Sequence, residues 1–176
     1  TTLSNVSFAD NFVKNGMGGA IYVEGGNISI NATKNVSNAG NYAADSTGEL
    51  SDARGGFLYL TSNGSTAGSA TFDIAENATY TIGDGRKNMD SIASSDSTAS
   101  ISKNGFGNLT INGSMQSFSG TLNVNAGSMD VNNGLNASVI NVESGTALGL
   151  RINGHNTLSN GDLVLTNKGT INLTAK

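Results

Sequence analysis

Leu109-Thr110-Ile111, Leu122-Asn123-Val124, Met129-Asp130-Val131, Ile140-Asn141-Val142, Leu148-Gly149-Leu150-Arg151-Ile152, Leu163-Val164-Leu165 and Ile171-Asn172-Leu173 follow one another through the C-terminal part of this 176-residue chain. All but Leu163-Val164-Leu165, which is apolar throughout, alternate apolar with other residues at a period of two, the pattern of a half-buried strand. Between them lie Gly, Asn, Ser and Asp, residues that tolerate φ > 0 or bond their own backbone and so make turns. The starts form two interleaved series: Leu109, Met129, Leu148, Ile171 and Leu122, Ile140, Leu163. Within each series the step is roughly 18 to 23 residues, the length of one solenoid coil. One such coil cannot bury its inward side chains alone, whereas stacked coils can. The expectation is an all-β, right-handed parallel β-helix of about seven or eight short coils, the hand following the usual crossover rule. At about 4.8 Å per coil the shaft is expected to be about 35–40 Å long.

Working outward, the first half carries a second, looser repeat. Val6-Ser7-Phe8-Ala9-Asp10-Asn11 leads to Met17-Gly18-Gly19-Ala20-Ile21-Tyr22-Val23. Ile28-Ser29-Ile30 and Asn35 lead to Arg54-Gly55-Gly56-Phe57-Leu58-Tyr59-Leu60. Aligning the copies leaves a polar insertion at 41–53 with Asp45, Glu49 and Asp52, read as a loop projecting from the shaft and as the contact segment. Ile92 and Ile101 are expected to point inward, and Phe106 and Phe118 to fill corners. One domain over 1–176 suffices: motif-bearing coils over 1–88 and regular coils of about 20 residues over 89–176.

Roughly half of the chain is Gly, Asn, Ser and Thr, yet its apolar residues are periodic, which separates it from a disordered polar chain. Pro is absent, as befits strands that all donate to a ladder. A net charge of −4 argues against nucleic acid and anionic membrane surfaces as partners. Without Cys there is no disulfide framework, and no apolar run approaches a membrane span. The chain begins at Thr and is expected to be processed or excised from something longer.

No catalytic set can be composed. The acids are scattered singly along the chain, among them Asp10, Glu24, Asp73, Glu76, Asp130, Glu143 and Asp162, and the three Arg are far apart in sequence. Polysaccharide-cleaving β-helices need clustered carboxylates or a base beside bound calcium, so the chain is expected not to be an enzyme and to need no cofactor. His155 has no carboxylate neighbour to orient it as a base or ligand. Asp84 to Asp90 lacks the central Gly and distal Glu of a calcium loop and reads as a solvated turn. The Gly-Gly pairs precede no Lys-Ser/Thr and read as tight corners rather than phosphate loops. Asn11 and Asn35 are expected at corners or inside, bonding backbone and one another between coils. Tyr22 and Tyr59 occupy equivalent positions; an aromatic stack inside the shaft is slightly preferred to an outward contact pair.

Phe8-Ala9-Asp10-Asn11 followed by Gly18-Gly19-Ala20-Ile21 resembles the FxxN and GGA[ILV] pair of polymorphic outer membrane proteins. Gly105-Phe106-Gly107-Asn108-Leu109-Thr110-Ile111, with Ser119 to Val124 and Ala126 to Val131, is similar to AIDA-type autotransporter passengers. The second copy departs from the pattern, with Gly55-Gly56-Phe57-Leu58 for GGAI and Ala32 where FxxN has Phe; the lack of Cys suggests a Gram-negative source other than chlamydiae. The resemblance implies a passenger exported through an outer-membrane β-barrel that is not in this chain, displayed on the cell surface or secreted. It implies adhesion to a host protein or glycan, or self-association with identical passengers on neighbouring cells. The alternatives are a passive spacer that displays a distal effector and a polysaccharide-active β-helix enzyme.

Overall fold

A strand built on alternation needs a neighbour on each edge for its backbone and a partner for its inward face. A parallel stack of coils supplies both. The computed structural model describes residues 1–152 and 164–175, which wind through seven coils. The first holds β1 (Thr2–Ser4), β2 (Phe12–Lys14) and β3 (Ile21–Glu24). The second holds β4 (Gly26–Ala32), β5 (Val36–Asn38), β6 (Tyr42–Ala44) and β7 (Leu58–Thr61), and the third β8 (Gly68–Ile74), β9 (Thr79–Ile82) and β10 (Ile92–Ser94). From the fourth on, each named coil has two strands: β11 (Ser100–Asn104) and β12 (Asn108–Ile111), β13 (Thr121–Val124) and β14 (Ser128–Val131), β15 (Val139–Val142) and β16 (Ala147–Ile152), β17 (Val164–Asn167) and β18 (Thr170–Ala175).

The strands form one sheet per side of the coil. The first sheet runs β1-β4-β8-β11-β13-β15-β17 and the second β5-β9-β12-β14-β16-β18. A third, β3-β7-β10, and a two-stranded fourth, β2-β6, close the wider N-terminal coils. Every pairing between named strands is parallel. This is the parallel β-helix that the two series describe. Leu109 pairs with Met129, Met129 with Leu148, and Leu148 with Ile171, as expected. Leu122 pairs with Ile140 and Ile140 with Leu165, so the second series ends at Leu165 rather than Leu163, which lies outside the described residues. A shift of two keeps the same face inward, which is why alternation alone does not resolve it.

The core is one continuous column of inward side chains, including Ile30, Leu58, Phe72, Ile101, Leu122, Val142 and Leu150. Ile92 and Ile101 are inside, as expected. Width decides what fills it. In the N-terminal coils Phe57, Phe72 and Tyr80 meet edge to face or tilted, with centroids 6.5 Å apart for Phe57–Tyr80 and 5.8 Å for Phe72–Tyr80. In the two-strand coils the inward strand positions are mainly aliphatic, and a ring enters at the corner through Phe118.

Several expectations are corrected. Phe106 is 77% exposed, because the tight Asn104-Gly105-Phe106-Gly107 corner turns its ring to solvent. Val6, Phe8 and Val23 are only half-buried; Phe8 and Val23 pack on the core near its N-terminal end. Leu165 and Leu173 are 45% and 62% exposed, since they belong to the last described coil and no described coil covers its outer side. Asn35 is exposed, where its side chain accepts the Thr79 amide, and does not stack under Asn11. Tyr22 is 50% exposed, because Ile21 takes the inward position in β3. The side chain of Ile152 and all of His155 lie outside the described residues.

The insertion is corrected as well. Tyr42–Ala44 is wall, pairing with β2 as Phe12↔Tyr42, Val13↔Ala43 and Lys14↔Ala44, and Ala43 and Ala44 are buried. The chain leaves the wall only at Asp45.

Candidate functional site

The motif residues act between coils. Asn41 is buried and takes the place expected of Asn35. Asn11 Nδ2 donates to Asn41 Oδ1 at 2.7 Å, and Asn41 Nδ2 donates to Phe8 O and, at 2.7 Å, to Asp90 Oδ1. Asp90, also buried, accepts the backbone N–H groups of Gly40 and Asn41 as well. Asn38 repeats the device, accepting the Phe8 amide and donating to Thr81 O. Buried polar groups are tolerated when their hydrogen bonds are met, and this ladder meets those of three coils at once. The second copy of FxxN is therefore Asn38-x-x-Asn41, the side chain of Asn38 standing where the first copy has Phe8.

The glycine pairs stack in register. The amides of Gly18, Gly19, Ala20 and Ile21 donate to the carbonyls of Arg54, Gly55, Gly56 and Phe57. Gly18 and Gly55 sit at φ +69° and +63°, and a Cβ on Gly19 would overlap the carbonyl oxygens of Gly56 and Tyr42. Phe8 meets Phe57 edge to face at 5.9 Å. Phe8, Asn11, Gly18, Gly19, Ala20, Ile21, Gly55 and Gly56 are thus building parts of the corner.

The three loop carboxylates separate. Asp45 closes a tight turn: its Oδ1 accepts the Thr47 hydroxyl at 2.6 Å and the Thr47 and Glu49 amides at 2.8 and 3.0 Å. The Thr47 hydroxyl first, and the Glu49 amide next, hold its carboxyl below the usual range. Glu49 stands exposed at the tip. Asp52 instead opens a short 3-10 turn, Asp52–Arg54, that packs beside β10. Burial raises its pKa against a hydrogen bond from Ser114 and the charge of Lys87, and its Oδ1 is buried without a partner. Asn88 ties this segment down through a bond to Leu50 O. The most exposed run of the insertion is its tip, 46–49.

Two aromatic stacks stand on the third and fourth sheets; Tyr22 and Phe12 are exposed, whereas Tyr59 is buried beside Tyr22. Tyr22 and Tyr59, in register in the third sheet, lie 5.9 Å apart with planes 2° from parallel. Phe12 and Tyr42 of the fourth sheet stack at 4.7 Å. Burial raises the Tyr22 hydroxyl pKa, and the charge of Glu24 adds to this. The outer face of the first sheet carries the row Ser29, Thr71, Ser102, Asn123, Asn141 and Thr166, each aligned with the next. Asn141 Nδ2 donates to Asn123 Oδ1 at 2.8 Å. Asp84 is held below the usual carboxylate range by Arg86, 2.8 Å away. Among the described residues no three His, Cys, Asp or Glu side chains gather as metal ligands.

Two features escape sequence reading. Lys103 occupies an inward position between Phe72 and Val124, fully buried, and its Nζ donates to the carbonyls of Asn104, Gly105 and Ala126 at 2.8, 2.8 and 3.1 Å. Its alternation Ile101-Ser102-Lys103 was the available signal. Asp90 carries none, because its role depends on Asn41, 49 residues away.

The chain is 32% identical over 155 residues to the probable autotransporter YfaL of Escherichia coli (strain K12), a match covering 81% of this chain. This is an autotransporter-related segment. It spans 12% of that relative's length. No protein-family model matches the chain, and no solved structure matches it significantly. Among the described residues no helix is long and apolar enough to cross a membrane.

Proposed function

We propose that the chain is a fragment of an autotransporter passenger, displayed at the cell surface or secreted, and that it is a non-enzymatic adhesin or self-association module. Support comes from its similarity to the autotransporter over most of its length and from the AIDA-like and polymorphic-outer-membrane-like motifs. The observation that carries the reading is the uninterrupted outward row of Ser, Thr and Asn on the first sheet, in register from coil to coil. Each such group offers a weak hydrogen bond. Repeated along a rigid shaft and over many copies, these sum by avidity without a deep pocket. The partner is a host protein or glycan, or an identical passenger on a neighbouring cell; the Asp45–Glu49 tip and the Tyr22–Tyr59 stack add specific contacts.

Beads coated with the chain are expected to clump or to adhere to host cells. Replacing Asp45–Glu49 by a short Gly turn is expected to weaken that binding and leave the melting temperature near wild type. Beads that neither clump nor adhere would favour a passive spacer. The side-chain bonds within the outer rows favour that second reading, because amides such as Asn123 and Asn141 already bond one another.

A further inference from the structure

The second sheet has a different outer face. Thr110 of β12, Asp130 of β14, Gly149 of β16 and Asn172 of β18 are aligned in one outward row. Gly149 breaks that row, and the Asp130 carboxylate leans over the gap, where a Cβ on Gly149 would press on its Oδ1. Two adjoining hollows of about 670 and 430 Å³ open on this face and share Asn132 and Arg151. The first runs over Asp130, Gly149 and Asn172; the second reaches Asn112 and the Asp84–Lys87 corner. Together they make an open channel along the stack axis.

The lining chooses the ligand. Its planar amides are held in place, as Asn132 Nδ2 donates to Asn112 Oδ1 at 2.8 Å and Asn112 Nδ2 to Gly83 O at 2.9 Å. The channel's charged side chains are of both signs, Lys87 and Arg151 with Asp130 and with Asp84, which is paired to Arg86. An anionic chain would meet Asp130, and a cationic one Arg151. Apart from Ile171 and Leu173 at the last described coil, the outward side chains of the lining are polar and none is aromatic, so most of the channel offers no floor for a lipid tail or an apolar peptide anchor. Paired donors and acceptors on a fixed scaffold suit vicinal hydroxyls. Successive coils stand about 4.8 Å apart, close to the length of one sugar ring, so corresponding positions such as Asn112 and Asn132 can meet successive sugars.

We propose that this channel binds a neutral oligosaccharide laid along the shaft. The proposal rests on the adhesin reading and moves its specific contact from the loop tip to the second sheet.

The test is binding of the purified chain to a printed panel of neutral and acidic oligosaccharides of four or more sugars. Gly149→Tyr is designed to fill the notch, since the nearest atoms to a Cβ at Gly149 are the Asp130 carboxylate and, at 3.8 Å, its Cα. Binding to neutral oligosaccharides is expected, at least about tenfold weaker for Gly149→Tyr and for Asn132→Ala, a difference of about 1.4 kcal/mol. Ser97→Tyr, in the exposed turn between β10 and β11 and outside the channel, is expected to bind like wild type. Equal binding by Gly149→Tyr with an unchanged melting temperature would overturn the proposal, as would binding confined to acidic glycans. An empty panel while coated beads still adhere would overturn the channel alone. An empty panel with inert beads would overturn the adhesin reading with it.

Discussion

The first three coils and the last four solve the same stacking problem by different means. From β11 onward, the strands mostly alternate inward apolar and outward polar residues, the buried Lys103 of β11 being an exception, corners are short, and hydrogen-bonded side chains lie 18 and 21 residues apart, as in Asn123–Asn141 and Asn104–Asn125. There, register follows from alternation. The N-terminal coils carry extra wall strands, aromatic filling and a longer corner. Their register is held by buried polar clamps, Asn38, Asn41 and Asp90, and by glycines that admit the next coil's backbone. Regular coils rely chiefly on alternation, while irregular ones depend on particular buried residues, and there they carry the loop tip and the two aromatic stacks.

The largest effect should come from breaking the regular half. Val124→Asp or Val142→Asp buries an unpaired carboxylate in the column and should destabilise by about 3 kcal/mol or more in denaturant melts. Wild-type melting would place those residues outside the core. In the irregular half, Gly19→Ala should cost about 2–3 kcal/mol, since backbone oxygens on both sides must move. Gly149→Ala in the regular half should stay within about 0.5 kcal/mol, because only a side-chain end must shift. Asn41→Ala removes the acceptor of the Asn11 amide and one bond each to Asp90 and Phe8 O, and should cost about 1–2 kcal/mol, measurable as a lower denaturation midpoint.

Lys103 sharpens the comparison through pH. Burial pushes its ammonium down to about 8 from 10.5, despite the pull of Asp73. Between those values the unfolded chain binds a proton that the folded chain does not, so stability should rise with pH. The clean window is about pH 8 to 10, because Tyr80, pushed up to about 12 from 10.0 by burial, acts oppositely above it. Lys103→Met should flatten the rise in urea midpoints across that window. The smallest effect belongs to Lys168→Ala, which removes an exposed pair with Glu143 at 3.2 Å and should change stability by less than about 0.5 kcal/mol.

The parallel stack and most of its inward residues were legible in the sequence, because a period of two reports directly which face is buried. The Gly18-Gly19 and Gly55-Gly56 correspondence was legible too, since glycine marks places where backbone must meet backbone. The match of Asn11 to Asn41 was not. Side chains can replace one another across a corner without matching in type, as Asn38 does for Phe8, and alignment by residue identity then slips to Asn35. Strict alternation also left open which of Ile21 and Tyr22 faces inward; the width of the coil and the packing of Ile21 on its core decide it. The channel on the second sheet depends on a missing side chain, Gly149, whose effect appears only when β14, β16 and β18 lie side by side.

Sedimentation velocity over a wide concentration range tests the central claim most directly, that this chain is a rod whose faces mediate association. The account predicts a frictional ratio of an elongated particle and a sedimentation coefficient that rises reversibly with concentration. A compact particle whose coefficient is constant at every concentration would contradict it.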